Sequence, residues 1–200
     1  AGYVAAFTIL STLLYFEKAR VVEAFVEGTE SRARVMAWIE LGGQTLTVLL
    51  QVFLTGRMMR RFGVGVLLAI VPVVTIIGFI GLAAFPVLIT LAIFEASRRA
   101  CHYALSKPAR ETLFTVVPRA DKYKAKGIID TFVYRGGDTV GTVADAGLAF
   151  VGLAAAWLAV PLGAASLVLG VWLGKQEERG VSEPDITDPT PMASPASGNI

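Results

Sequence analysis

GIIDTFVYRGGDTVGTVADAGLAF, residues 127–150, is the stretch that decides how this chain must fold. It is long enough to cross a bilayer, which takes about 20 mostly apolar residues, yet it carries Asp130, Arg135, Asp138 and Asp145. At 100° per residue Asp130, Thr131, Arg135, Asp138, Thr142 and Asp145 fall within roughly 140° of a helix surface, with Ile129, Phe132, Gly136, Val140, Val143 and Gly147 opposite. A charge at the centre of a membrane helix costs at least about 2.5–3.5 kcal/mol unless it faces protein or water. The spacing therefore predicts a helix with its ionic face turned into a bundle. Arg135, three residues before Asp138, can pair with it. The face either holds a buried ion pair that fixes helix register or contributes substrate or coupling groups.

Outward from this stretch the chain repeats the same material. Six segments are apolar over about 20 residues: 2–24, 36–56, 64–84, 86–106, 127–149 and 152–174. The whole chain is 54% hydrophobic and only 17% charged, with a mean hydropathy of +0.63, whereas soluble domains are about one quarter charged. The expected fold is an all-α membrane protein built as a six-transmembrane-helix bundle. Residues 175–200, rich in Pro, Ser, Asp and Glu without apolar periodicity, read as a disordered cytoplasmic tail. Ala1 is followed at once by an apolar run with no basic n-region, and the chain is expected to be a fragment of a longer one.

Lys and Arg assign the sides. Arg57, Arg60 and Arg61, the loop residues Lys107, Arg110, Arg119, Lys122, Lys124 and Lys126, and Lys175 and Arg179 collect on one side; Lys18, Arg20, Arg32 and Arg34 on the other are diluted by Glu17, Glu23, Glu27 and Glu30. Both ends of the segment are thus expected in the cytoplasm. The net charge of +2 gives no argument for nucleic acid. Cys101 is the only cysteine and His102 the only histidine, which excludes an internal disulfide and a His-based metal cluster. With no GxSxG and no paired-histidine motif, neither an enzyme nor a cofactor or metal is expected.

Polar residues are distributed unevenly. In the second segment Glu40, Gln44, Thr47, Gln51 and Thr55 lie within about 60° of arc, as a water-lined path or as interhelical hydrogen-bonding groups. In the fourth, Glu95 can reach Arg98 and Arg99, with His102 beyond them; these are candidates for a cytoplasmic gate or for a stabilising network. The first segment carries Thr8, Thr12 and Tyr15 on one face, then Glu17, Lys18 and Arg20. The third and sixth have no charge before Lys175 and one proline each, Pro72 and Pro161, and are expected to face lipid. The order wet, wet, dry, wet, wet, dry has a three-helix period, the pattern of a 3+3 inverted repeat.

That order, with the basic loop GRMMRRFG after the second segment, resembles the carboxyl-terminal half of the major facilitator superfamily, a twelve-helix fold. The run KPARETLFTVVPRADKYKAKGIIDTFVYRGGD, Lys107 to Asp138, is more specifically similar to bacterial relatives of the ATP/ADP antiporter family of nucleotide transporters. The resemblance implies an integral protein of the bacterial inner (plasma) membrane, alternating access against a missing amino-terminal six-helix half, and a small solute, nucleotide-like or another organic anion. It points to Asp130 and to the cytoplasmic-loop residues Lys107, Arg110, Glu111, Lys122, Lys124 and Lys126. Nucleotide-exchanging members carry a GKSG-like run whose lysine would fall at Asp138, where a carboxylate repels phosphate. Arg135 is then the cation for an anionic substrate and Asp138 a candidate for proton coupling. Pro108 and Pro118 bracket ARETLFTVV, which suits an interfacial helix with Leu113, Phe114 and Val117 toward lipid, the lysines attracting headgroups or an anionic solute. Membrane lipid and the solute are the expected partners. The alternative is a non-transporting sensor or assembly protein whose ionic face binds a partner helix.

Overall fold

A computed structural model describes residues 2–113, 127, 129–151 and 155–181. Among them there is no strand. Helix α1 spans Gly2–Phe25, α2 Thr29–Phe53, α3 Thr55–Ala84 and α4 Leu88–Cys101. A π-helical turn, His102–Ser106, leads into the short α5, Lys107–Leu113; a second π-turn, Ile129–Val133, opens α6, Tyr134–Val151, and α7 spans Ala156–Val181. Among the described residues three helical stretches are long and apolar enough to cross a membrane: Thr29–Phe53, Thr55–Ala84 and Ala156–Gln176. They coincide with the expected segments 36–56, 64–84 and 152–174. The other three segments are helical too, but α1 carries Glu17, Lys18, Arg20 and Glu23 in its second half, α6 carries Arg135, Asp138 and Asp145, and α4 is only 14 residues before its π-turn. Arg119, Lys122, Lys124, Lys126 and residues 114–117 of the expected interfacial helix lie outside the described residues; of the expected disordered tail 175–200, residues 175–181 continue α7 as helix and the rest lies outside the described residues.

Helix ends follow local chemistry. Gly28, at φ 81°, turns the chain between α1 and α2, and Arg32 ties the corner by donating to the Val26 carbonyl at 2.8 Å and to Glu23 at 3.1 Å. This lets α2 begin at Thr29, earlier than the hydrophobic run, because charged residues continue a helix beyond the apolar zone. Gly63, at φ 69° and ψ 172°, breaks α3 after the basic run Arg57–Phe62, so the apolar part starts at Val64, as the hydropathy predicts. A side chain other than glycine rarely takes that φ.

Prolines set up the polar contacts between helices. Pro72 has no N–H for the Leu68 carbonyl four residues earlier, and Tyr3 Oη donates to that carbonyl at 2.9 Å. Pro108 likewise cannot serve Ala104 in α register or Tyr103 in the π register that the Lys107 N–H bond to His102 O establishes. Thr55 Oγ1 donates to Ala104 O at 2.7 Å and Gln51 Nε2 to Tyr103 O at 3.3 Å. A carbonyl left bare in a membrane interior is costly, and these side chains remove that cost.

Side-chain contacts also fix directions. Tyr3, Phe7 and Ser11 of α1 meet Ser106, His102 and Arg98 in turn, so α1 and the α4 segment are antiparallel. A Cβ on Gly137 or Gly141 of α6 would come within 2.8 and 2.7 Å of Thr8 and Thr12, so α1 and α6 are parallel and nearly touch backbones. Gly43 of α2 lies against Ala96 and Arg99, and Gln51 against Tyr103, so α2 and α4 are parallel. Gly65 meets Gly174 and Ile76 meets Gly163, which makes α3 and α7 antiparallel. The most extensive pairings are α3 with α7, α1 with α6 and α2 with α4. Exchanging α1 with α4, α2 with α6 and α3 with α7 converts this set of pairings into itself. Since α1 and α4 are antiparallel, the second triple repeats the first upside down.

The core follows the same division. Leu10, Leu13, Leu14 and Val22 of α1 pack with Phe79, Leu82, Leu91 and Phe94, and Tyr3 with Leu67, Leu68 and Leu105 forms a second cluster at the opposite end. The outer faces of α3 and α7 expose Val73, Ile77 and Ile80 and Trp157, Val168 and Trp172, an apolar surface suited to lipid. The charge-free third and sixth segments thus sit back to back with their remaining faces outward.

Candidate functional site

Charged side chains from three helices converge in the bundle interior. Lys18 Nζ of α1 lies 3.2 Å from Glu40 Oε1 of α2 and 3.6 Å from Glu95 Oε1 of α4. Arg99, one turn beyond Glu95, reaches Glu40 Oε2 at 2.6 Å and Glu95 Oε1 at 3.2 Å. Two cations and two carboxylates balance. Lys18 and Glu95 keep only 9% and 7% of their side-chain surface exposed, so each depends on the other's charge. Gly43 admits the network: a Cβ there would stand 3.2 Å from Arg99 Cδ.

A second connection ties α1 to α6. Arg20 pairs with both Glu17 and Asp145, and Asp145 is buried with its Oδ1 unpartnered among the described residues. Asp138, lower on the same helix, accepts a hydrogen bond from Thr12 Oγ1 at 3.1 Å. No ion pair joins it to Arg135 among the described residues, and Arg135 is exposed. Asp130 falls in the π-turn Ile129–Val133, and its side chain lies outside the described part of the structure.

Between α1, the α4 π-turn and the start of α6 is a cavity of about 400 Å³. Phe7 and Ser11 form one wall, Arg98, Arg99, His102 and Tyr103 another, and Lys107 and Tyr134 the rim. Among the described residues no carboxylate lines it. The His102 ring stacks on Phe7 with centroids 3.9 Å apart and planes 13° from parallel. Arg98 lies over the same Phe7 ring at 5.2 Å and donates to Ser11 Oγ at 3.0 Å. Unlike Arg99, it makes no ion pair among the described residues, and its Nε, like His102 Nδ1, is buried without a hydrogen-bond partner there. Lys107 Nζ lies 5.4 Å from the Tyr103 ring centre, and Arg110 donates to the Tyr134 hydroxyl at 3.2 Å.

The structure thus divides the residues that spacing grouped together. Of the four gate candidates, Glu95 and Arg99 join Lys18 and Glu40, while Arg98 and His102 face the cavity; Glu95 reaches Arg99 within its own helix and not Arg98. The polar face of the second segment is divided too: Glu40 is ionic, Gln51 of α2 and Thr55 at the start of α3 satisfy the carbonyls freed by Pro108, Thr47 bonds its own Gly43 carbonyl at 2.7 Å, and Gln44 is exposed. Phe7, Ser11, Lys18 and Tyr134 escape the spacing argument. For Lys18 a signal existed: two carboxylates, Glu40 and Glu95, lie in apolar segments with more need of a cation than their own helices supply. Among the described residues no group of His, Cys, Asp and Glu has the arrangement of a metal site. Comparisons with protein-family models, with curated proteins and with solved structures find no match to this chain.

Proposed function

We propose that this chain is one six-helix half of a secondary transporter of the major facilitator type, moving a small anionic solute across the membrane by alternating access. The observation that carries this is the helix pairing, which maps onto itself when α1–α3 exchange with α4, α6 and α7 in inverted orientation. Inverted three-helix units are a recurrent architecture of rocking transporters. In this arrangement α3 and α7 support the bundle from the lipid side. Helices α1, α2, α4 and α6 then carry the polar groups, including the exposed Arg135, Asp138 and Gln44, toward a second six-helix half. The cationic cavity supports an anion as the cargo. The basic residues Arg57, Arg60, Arg61, Lys107 and Arg110 place both ends of the helical region in the cytoplasm on this reading.

The test is flux. The protein encoded by the complete reading frame is reconstituted in liposomes and challenged with nucleotides, other organic anions and a proton gradient. Accumulation of one anion, lost in Arg135→Gln or Asp138→Asn at unchanged protein level, is the expected result. No accumulation of any of them overturns transport of an anion, and transport surviving both substitutions removes Arg135 and Asp138 from the mechanism.

A further inference from the structure

We infer that the cavity between Phe7, Arg98 and Tyr134 is a binding site for a small organic oxyanion, its phosphate or carboxylate head held by Arg98 and its flat apolar body by the aromatic walls. The inference names a site and ligand class for the transport proposed above, but stands on binding alone and does not need flux.

The Lys18–Glu40–Glu95–Arg99 network is neutral, so Arg99 brings little net charge to the cavity it borders. Arg98 is different: it is half-buried, has no ion-pair partner among the described residues, and offers its Nε unused. A guanidinium enclosed in protein without an anion is costly, and its planar fork matches a carboxylate or phosphate. Lys107 adds a second positive group at the rim. His102 also lines the cavity, its Nδ1 buried without a hydrogen-bond partner among the described residues.

Size and wall chemistry give the rest. About 400 Å³ falls in the range of small-molecule sites, about 300–1,000 Å³, and exceeds what a bare oxyanion needs. Phe7, Tyr103 and Tyr134 present ring surface for an organic body. Ser11, already holding Arg98, aims the guanidinium.

The same head chemistry is found on free solutes and on lipid headgroups, and the experiment separates them. The protein encoded by the complete reading frame is placed in nanodiscs of zwitterionic lipid, and binding of phenyl phosphate, inorganic phosphate and benzyl alcohol is measured by calorimetry. Phenyl phosphate is expected to bind most tightly, inorganic phosphate more weakly, and benzyl alcohol not measurably. Arg98→Gln should lower phenyl phosphate affinity at least 10-fold. Lys107→Gln, at an exposed position where folding is not at stake, should lower it about 3-fold, and added salt should weaken it in the parent chain. Competition by an anionic phospholipid incorporated in the disc would keep the site and assign it to a headgroup; absence of competition assigns it to a soluble anion. Unchanged affinity in both Lys107→Gln and a folded Arg98→Gln protein, or equal binding of benzyl alcohol, overturns the inference. So does failure of both anions to bind. Because no gradient or flux enters this measurement, anion binding without uptake rejects transport and keeps the site, whereas uptake unaffected by Arg98→Gln with no binding rejects the site alone.

Discussion

Glu95 shows how far one residue can be committed by its surroundings. Its carboxylate serves both Lys18 and Arg99, so its removal leaves two cations facing Glu40 alone. Glu95→Ala should destabilise the protein by about 3–5 kcal/mol, the range for breaking a buried ion pair from one side, measured as denaturant unfolding in detergent. Lys18→Met combined with Glu95→Leu removes one charge of each sign and leaves the Arg99–Glu40 pair intact, so the double variant should be more stable than Glu95→Ala. Additive losses would mean that Lys18 and Glu95 do not act as a unit. Arg98, the next residue after Ser97 and one before Arg99, has the same chemistry and a different role, because 100° of helix rotation takes it out of the network and into the cavity.

At the scale of the element, the adjacent glycines Gly136 and Gly137 separate packing from propensity. A Cβ on Gly137 would meet Thr8 Cβ at 2.8 Å, while one on Gly136 meets nothing within 4 Å. Gly137→Val should therefore cost about 1–3 kcal/mol, as overpacked interfaces do, and push α6 away from α1. Gly136→Ala should be neutral or stabilise by up to about 1 kcal/mol through helix propensity. Thermal unfolding of the two variants side by side checks this, and equal effects would mean that α1 and α6 are not in close contact. The π-turn His102–Ser106 belongs to the same scale. With Pro108 it frees carbonyls that Gln51 and Thr55 take up, so those two polar residues of the second segment join helices.

For the molecule as a whole, the inverted pairing makes a topological demand. If the three-helix units are related in this way across a bilayer, Arg60 and Glu30 lie on opposite sides of it. In a Cys101→Ala background, Arg60→Cys should react with an impermeant thiol reagent only from the cytoplasmic face of sealed vesicles, and Glu30→Cys only from the other. Labelling of both from one side would exclude the six-crossing arrangement. The two ends of the bundle also differ chemically. Near Arg20 and Asp145 the helices are tied by ion pairs, whereas near Tyr3, Thr55 and Ser106 they are tied by hydroxyl and amide bonds to carbonyls that proline has freed.

Much of this organisation was legible from the chain itself. Hydropathy alone separates the helical segments, since an apolar run has the same meaning wherever it lies. The lack of charge in the third and sixth segments matches their exposed apolar faces, though not their packing against each other, and Gly63 lies where the hydropathy places the start of the third. What spacing on one helix cannot decide is which neighbour a side chain meets. Arg135 and Asp138 looked paired because they are three residues apart, yet Asp138 turns to Thr12 and Asp145 to Arg20. Lys18 looked like an interfacial residue, yet it is buried between two carboxylates from other helices. Segment identity depends on local free energy of transfer, which sequence carries, whereas partner choice depends on the rotation and depth of each helix against the others, which only their packing sets.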